Sequence, residues 1–170
     1  MDAAQDTGLA TVEHVDIRRY LGTWYEIARL PFEHEDPGAR NVTAHYALNE
    51  DGSLRVVNRN INEKGEAEEA VGEARPVDAT NARLKVSFLP AGLRWIPFTK
   101  GDYWVLRLDP DYTTSLVGTP GRKYLWLLSR TPTMPAAKRT EWLGFAHQRG
   151  FDTSKIIFTP QAEAEFPSAK

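Results

Sequence analysis

The feature that constrains this chain most is a series of eight short stretches in which apolar and polar residues alternate, each ended by turn-forming residues. A period of two places successive side chains on opposite faces of a strand. The turns between the stretches, such as NEDGS at 49–53 and NEKGE at 62–66, are too short for the crossovers that parallel strands require. The pattern therefore predicts an antiparallel meander with strands at 22–30, 41–48, 54–61, 67–75, 82–88, 102–108, 114–119 and 123–130.

These strands are expected to close into a barrel, because closure removes the exposed edges of an open sheet. In the fifth stretch, RLKVSF, the side chains of Leu84, Val86 and Phe88 share one face, and polar side chains occupy the other. One face of the sheet is therefore expected to be solvent-exposed, as on the outside of a barrel. Eight antiparallel strands enclose a space that holds packed side chains or one small ligand.

Only one segment has the period of an amphipathic helix, and it lies late in the chain, at residues 136–149. Thr133 is the expected N-cap, and Gly150 suits the position after the last turn. A short strand at 155–159 is expected to follow the helix. The predicted fold is all-β, an eight-stranded antiparallel up-and-down barrel with one C-terminal α-helix packed outside. The apolar side of that helix comprises Ala137, Trp142, Leu143, Phe145 and Ala146.

Length and charge limit the classes of partner. A chain of 170 residues fits one domain, and we expect a flexible segment at 1–14, the barrel and helix at 15–160, and a tail at 161–170. The 21 basic and 23 acidic side chains are interspersed and sum to −2, so no single-sign field attracts nucleic acid. The chain has no cysteine, which excludes thiolate metal sites and cysteine nucleophiles, and it has no apolar run long enough to span a bilayer.

Three short motifs follow one another along the predicted strands. The first is Gly22-x-Trp24 followed by Tyr-Glu-Ile, the second is Asp111-Tyr112 between the sixth and seventh strands, and the third is Arg130 at the end of the eighth. Together they resemble the motifs of the lipocalin family, and within it the branch of bacterial lipocalins and apolipoprotein D. The resemblance implies a calyx whose floor is closed by Trp24, with Arg130 packed across its ring in a cation–π contact.

The same resemblance implies a small hydrophobic or amphipathic ligand, a fatty acid or a lysophospholipid, held in the calyx without chemical change. Alternation independently places Val56 and Val86 on the inner face of the strands. A mostly aromatic wall binds such a ligand through buried apolar area and orients it through a few hydrogen bonds. The ligand-binding residues implied by similarity to apolipoprotein D are Tyr20, Tyr46, Asn58, Phe88, Tyr103 and Trp126.

The connection between the fifth and sixth strands, residues 89–101, is unusually apolar for a loop. In the lipocalin fold it lies at the open end of the barrel. Exposed apolar groups there indicate a lid or a membrane-surface contact, and simple packing against the barrel rim is the alternative. The apolar residues of this open-end loop are Leu93, Trp95, Ile96 and Phe98.

Glu26 shares a face of the first strand with Trp24 if no bulge intervenes, so its carboxylate is expected to face inward. A buried carboxylate without a cation is unfavourable. Arg107 and Arg130 are the candidate partners, whereas Arg29 is expected on the outer face. The resulting ion pair is either purely structural or binds an anionic ligand head, which then replaces Glu26 as the partner of the arginine.

Catalytic signatures are absent from the sequence. It has no Gly-x-Ser-x-Gly elbow, no phosphate-binding loop and no histidine pair at metal-ligand spacing. We therefore expect a binding protein without cofactor or metal rather than an enzyme. Two alternatives stay open: a haem or pigment carrier, and a lipocalin-type enzyme that uses Tyr103 or Glu26 on a bound lipid or carotenoid.

Similarity to the bacterial branch implies lipid handling at the cell envelope. The expected location is the periplasm or outer membrane of a bacterium if a leader with an anchoring cysteine was removed, and otherwise the soluble cytoplasm. Trp104 should face outward beside Tyr103, where it packs on the helix or forms a dimer contact. The expected oligomeric state is a monomer or a weak homodimer.

Overall fold

The computed structural model describes residues 8–32, 35–88 and 100–161, and β-strands are the main regular structure in these ranges. The elements are α1 (Ile17–Tyr20), β1 (Gly22–Arg29), β2 (Arg40–Leu48), β3 (Leu54–Ile61), β4 (Ala67–Pro76), β5 (Arg83–Phe88), β6 (Lys100–Leu108), β7 (Thr114–Gly118), β8 (Leu125–Ser129), α2 (Ala136–Gln148), a 3-10 turn (Thr153–Lys155) and β9 (Ile157–Phe158). Each of the eight predicted strands has a counterpart within one or two residues of its expected ends.

The barrel is closed because β1 pairs with a strand on each side. Residues 22–25 pair with 43–46 of β2, and residues 25–29 pair with 126–129 of β8. The other neighbours, from β2 to β8, follow chain order and are all antiparallel. The predicted eight-stranded up-and-down barrel is thus confirmed.

The later half of β1 forms hydrogen bonds with a segment that follows α2 instead of with β2. β9 pairs with Ala28 and Arg29. Just beyond β9, the Gln161 side-chain nitrogen donates to the carbonyl of Glu26 in β1 at 2.8 Å and to that of Val42 in β2 at 2.9 Å. Residues 157–161, hereafter the seam segment, therefore fill the barrel wall where β1 and β2 separate.

The two ends of the barrel differ. The connections β1–β2, β3–β4, β5–β6 and β7–β8 leave from one end, which we call the open end. Helix α1 and the connections β2–β3, β4–β5 and β6–β7 lie at the opposite, closed end. Most of the inward apolar side chains between these ends pack near the closed end, among them Val15, Tyr20, Trp24, Leu54, Leu84, Val105 and Leu128.

A second apolar cluster joins the outside of the barrel to α2. Strand alternation produces both clusters: along β6 and β8, Val105 and Leu128 belong to the inner cluster, whereas Leu106 and Leu127 belong to the outer one. The outer cluster also holds Trp104, which therefore faces outward, as expected, in a cluster that includes side chains of α2.

Helix α2 is the expected helix, packed outside the barrel through Trp142, Leu143 and Ala146. Two details of its prediction were wrong. Ala137 is exposed, and the N-cap is Pro135, without a side-chain cap, instead of Thr133. Within the described ranges, no helix combines the length and the apolar character needed to cross a membrane.

The segment before α1 is packed from its first described residues. Leu9 is 5% exposed and belongs to the outer cluster. The backbone N–H of Val12 donates to the carbonyl of Val105 at 3.0 Å. The described part of the segment 1–14 is therefore packed, although the whole segment was expected to be flexible, and residues 1–7 lie outside the described ranges.

Candidate ligand cavity

The closed end is held by a contact between Trp24 and Arg130. Trp24 is fully buried, and the Arg130 guanidinium lies 3.9 Å from the centre of its ring. Gly22 has a φ of +102°, and a Cβ there would lie 3.2 Å from a guanidinium nitrogen of Arg130. The left-handed backbone and the close approach both require glycine at this position. The first and third sequence motifs therefore meet at the floor, as the resemblance implied.

Arg130 also ties three separate backbone segments together. Its guanidinium donates to the carbonyls of Tyr112 at 3.1 Å, Thr23 at 3.1 Å and Arg19 at 2.9 Å. Tyr112, from the second motif, has a φ of +57° in the β6–β7 turn, and its hydroxyl accepts a bond from the Asp16 backbone N–H at 2.9 Å. Asp111 is an exposed residue of the same turn. The three motifs thus form one structural unit.

Three tyrosines form the layer above this floor. The hydroxyl of Tyr103 lies 2.8 Å from those of Tyr20 and Tyr46, and the Tyr20 hydroxyl also lies 2.8 Å from Ser115 Oγ. Burial raises the pKa of Tyr20 to about 12 and raises the pKa values of Tyr46 and Tyr103 further. The phenols are therefore neutral at physiological pH and share hydrogen bonds among themselves. Tyr103, one suspected reactive group, is engaged in this network.

Above the tyrosines the barrel holds a cavity of about 500 Å³ that reaches the open end. This volume falls within the usual range of small-molecule pockets. Seven of the eight residues proposed as ligand-binding line it, namely Tyr46, Val56, Asn58, Val86, Phe88, Tyr103 and Trp126. Tyr20 does not: it lies beneath the cavity, against a void of about 10 Å³ that Tyr46 and Tyr103 separate from the main space.

An aromatic group that the sequence did not reveal lines the open end of the cavity. The Phe32 ring lies 4.9 Å from that of Tyr124 and 5.6 Å from that of Trp126, both at steep angles. Edge-to-face packing of this kind is favourable. Phe32 follows β1 and Tyr124 precedes β8, so two open-end connections meet over the cavity.

One side of the cavity wall carries buried charge. Glu26 is 4% exposed and faces the cavity, as expected. Its carboxylate accepts bonds from Arg29 Nη1 at 2.9 Å and from Thr159 Oγ1 at 2.5 Å. Glu35, from the β1–β2 connection, adds a second carboxylate 3.3 Å from the same guanidinium nitrogen. Two carboxylates therefore share one arginine.

Burial raises the pKa values of both acids. For Glu26 the neighbouring Arg29 opposes the effect of burial. For Glu35 the negative charge of Glu26 adds to it, and its pKa lies well above the ordinary value of 4.5. Burial beside Glu26 therefore favours the protonated form of Glu35, which leaves one carboxylate charge, that of Glu26, opposite Arg29.

The predicted partners of Glu26 were wrong, and β-bulges explain why. The register of β1 shifts between Glu26 and Ala28, which turns Arg29 inward from the outer face where strict alternation would place it. A second shift, between Val105 and Arg107, sends Arg107 outward. There it pairs with Glu141 at 2.8 Å and packs on the face of Trp142.

Comparison with known proteins identifies the chain. A family model described as a lipocalin-like domain matches residues 15–161. The chain belongs to the lipocalin family. It is 45% identical over 157 residues to outer membrane lipoprotein Blc of Escherichia coli K12, covering 91% of this chain and 84% of that protein. It is 29% identical over 157 residues to mouse apolipoprotein D, covering 88% and 79% respectively. The branch of bacterial lipocalins and apolipoprotein D is thereby confirmed.

Solved structures support the same fold. Insecticyanin from the tobacco hornworm Manduca sexta superposes on this lipocalin with a TM-score of 0.71, covering 92% of this chain and 86% of its own. The two sequences are only 21% identical, so the likeness concerns the fold alone.

Some expectations about this lipocalin lie outside the described residues. The open-end residues Leu93, Trp95, Ile96 and Phe98 are among them, so their contact with a membrane stays a prediction. Among the described residues that line the cavity there is no histidine, and the described part of the chain holds no cluster of three or more histidine and acidic side chains arranged for a metal ion.

Proposed function

We propose that this lipocalin binds a single-chain amphiphile, a fatty acid or a lysophospholipid, and carries it without chemical change. The acyl chain lies in the cavity against Val56, Val86, Phe88 and Trp126, and the polar head lies at the open end. Burial of each methylene group contributes about 0.8 kcal/mol. A long acyl chain therefore supplies most of the binding free energy.

The observation that supports this proposal most is the composition of the cavity wall. Its lining combines apolar and aromatic side chains, among them Val56, Val86, Phe88 and Trp126, with the polar groups of Glu26, Glu35, Asn60 and Lys123. A molecule with one apolar chain and one polar end matches that combination. The neutral tyrosines beneath the cavity present hydroxyls that are already hydrogen-bonded to each other.

The proposed place of action is the bacterial cell envelope. The support is the 45% identity to a protein named as an outer membrane lipoprotein in Escherichia coli. In that setting the protein would collect or deliver single-chain lipids at the membrane surface.

The test uses a fatty acid with bromine atoms on its chain, 9,10-dibromostearic acid, because bromine quenches tryptophan fluorescence only at short range. The chain has five tryptophans, and a Trp95→Phe background removes the one outside the described residues. In that background we expect saturable quenching, with unbrominated stearic acid as the control ligand. Trp126→Phe should remove most of the quenching because Trp126 lines the cavity.

The matched control is Trp104→Phe. Trp104 belongs to the cluster on the outer side of the wall and does not line the cavity, so its replacement should leave the quenched fraction unchanged. Quenching that survives Trp126→Phe undiminished, or absence of stearic acid binding, would contradict the proposal.

A further inference from the structure

Two tyrosines divide the interior of the barrel into an upper and a lower space. Among the described residues, Tyr46 and Tyr103 are the two that line both the cavity of about 500 Å³ and the void of about 10 Å³ beneath it. A void of that size holds at most about one water molecule. An acyl chain that descends from the open end therefore meets these two side chains before it reaches the closed end.

The level at which the interior is divided follows from strand alternation. On β5, Leu84 lines the void, whereas the next inward residue, Val86, lines the cavity. On β3, Leu54 and Val56 divide in the same way. Tyr103 pairs with Leu84 across β5 and β6, so its ring belongs to the boundary between the two levels. Successive inward positions lie about 7 Å apart along a strand, so one level corresponds to several carbon atoms of an extended chain.

Hydrogen bonds hold this tyrosine layer in place. The Tyr103 hydroxyl lies 2.8 Å from the hydroxyls of both Tyr20 and Tyr46. The Tyr46 ring packs at a steep angle on the Tyr103 ring, with centres 6.0 Å apart, and its centre lies 5.7 Å from that of the Tyr20 ring. Displacement of Tyr103 would break both hydrogen bonds, which is unfavourable for hydroxyls as buried as those of Tyr20 and Tyr46. A ligand therefore meets a rigid layer.

The space beneath the layer is suited to hydrocarbon. Apolar side chains that line it include those of Val15, Leu54, Leu84 and Val105. Methylene groups buried there would be stabilised as they are in the cavity above. The position of the tyrosine rings, and not the polarity of the lower space, is what excludes an acyl chain from it.

We propose that Tyr103, held by Tyr20 and Tyr46, is the specificity-determining residue that sets the longest acyl chain the cavity holds. The inference rests on the proposed function, because it assigns the chain length of the ligand proposed there. The methyl end of the chain stops against Tyr103, while the polar head stays at the open end. Chains up to the limiting length are buried completely, and each further methylene group remains in water at the open end.

The first experiment measures the limiting length in the Trp95→Phe background with saturated fatty acids from decanoic to arachidic acid, in two-carbon steps and below their aggregation concentrations. Each acid competes with 9,10-dibromostearic acid, and displacement of the brominated ligand restores tryptophan fluorescence. Below the limit, affinity should rise about fourfold with each added methylene group, the ratio that corresponds to its burial. Above the limit, affinity should stop rising. A continuous rise up to arachidic acid overturns the inference, whereas failure of every acid to bind contradicts the proposed function itself.

The second experiment truncates the side chain. Tyr103→Ala should move the limit to a chain at least one two-carbon step longer, because the lower space then joins the cavity. Tyr103→Phe keeps the ring and should keep the limit of the wild type. Leu106→Ala is the matched control, because Leu106 is buried in the outer cluster on the same strand. Its truncation creates space that the ligand does not reach, so the limit should not change.

A milder variant, Tyr103→Leu, takes the place of Tyr103→Ala if circular dichroism shows that the larger truncation prevents folding. It should move the limit in the same direction, because a leucine side chain is shorter than that of tyrosine. An unchanged limit in a folded Tyr103→Ala or Tyr103→Leu variant overturns the inference, while the proposed function stands because fatty acids still bind. An equal shift in Leu106→Ala overturns it as well, since the change would then follow from a loosened barrel.

Discussion

At the scale of single residues, Arg130 has the clearest role. Its guanidinium contacts the Trp24 ring and three carbonyls that belong to α1, β1 and the β6–β7 turn. These contacts require the planar guanidinium of arginine with its five N–H donors. The ammonium group of lysine, on a flexible side chain, cannot make all of them at once. A lysine at position 130 would keep the positive charge but not the planar arrangement of donors that reaches all three carbonyls.

We predict that Arg130→Lys lowers the free energy of unfolding by roughly 1–3 kcal/mol, because carbonyls at the closed end lose their donors. Urea denaturation followed by circular dichroism measures the change. Arg55→Lys is the control, since Arg55 is exposed on β3 and its replacement should be neutral. Equal stability of the two variants would show that the Arg130 contacts contribute little.

At the scale of the elements, strand positions were predictable and the direction of single side chains was not. Alternation located each barrel strand because burial of one face repeats every two residues. A bulge inserts one residue and reverses that alternation, with no signature in composition, which is why Arg29 and Arg107 were placed on the wrong faces. Phe32 and Glu35 were missed because contacts between distant segments, not local pattern, bring their loop to the cavity.

The seam segment is the element whose role the sequence left unrecognised. Gln161 bridges the carbonyls of β1 and β2, and the Asn41 amide donates to the carbonyl of Pro160 at 2.8 Å. We predict that Gln161→Ala lowers the free energy of unfolding by about 1–2 kcal/mol, since two carbonyls lose a donor. Hydrogen exchange of the Asn41 amide should accelerate, while amides of β6 and β7 stay protected.

The control for the seam segment is Gln148→Ala, an exposed glutamine at the end of α2. It should change neither stability nor exchange at Asn41. If Gln161→Ala behaves in the same way, the Gln161 side chain contributes little to the seam, and β9 pairing and the bonds of Thr159 and Pro160 hold it.

At the scale of the whole molecule, the Glu26–Glu35 pair should make stability depend on pH. The pKa of Glu35 is raised in the folded state by burial and by the neighbouring Glu26. A raised carboxyl pKa means that the folded state binds the proton more tightly than the unfolded state does. Its contribution is fully present below the unfolded value near 4.5 and is lost as the pH rises through the folded value.

We predict that wild type and Glu35→Gln have similar free energies of unfolding well below pH 4.5, where Glu35 is neutral in both states, and diverge as the pH rises through that value. The variant should become the more stable protein by about 1.4 kcal/mol for each pH unit of the window between the unfolded and folded pKa values. Urea titrations at half-unit pH intervals measure both curves. Glu69→Gln, which removes an exposed carboxylate, should follow wild type throughout. Parallel curves for wild type and Glu35→Gln would mean that Glu35 has the same pKa in the folded and unfolded proteins, so that burial beside Glu26 does not favour its protonated form.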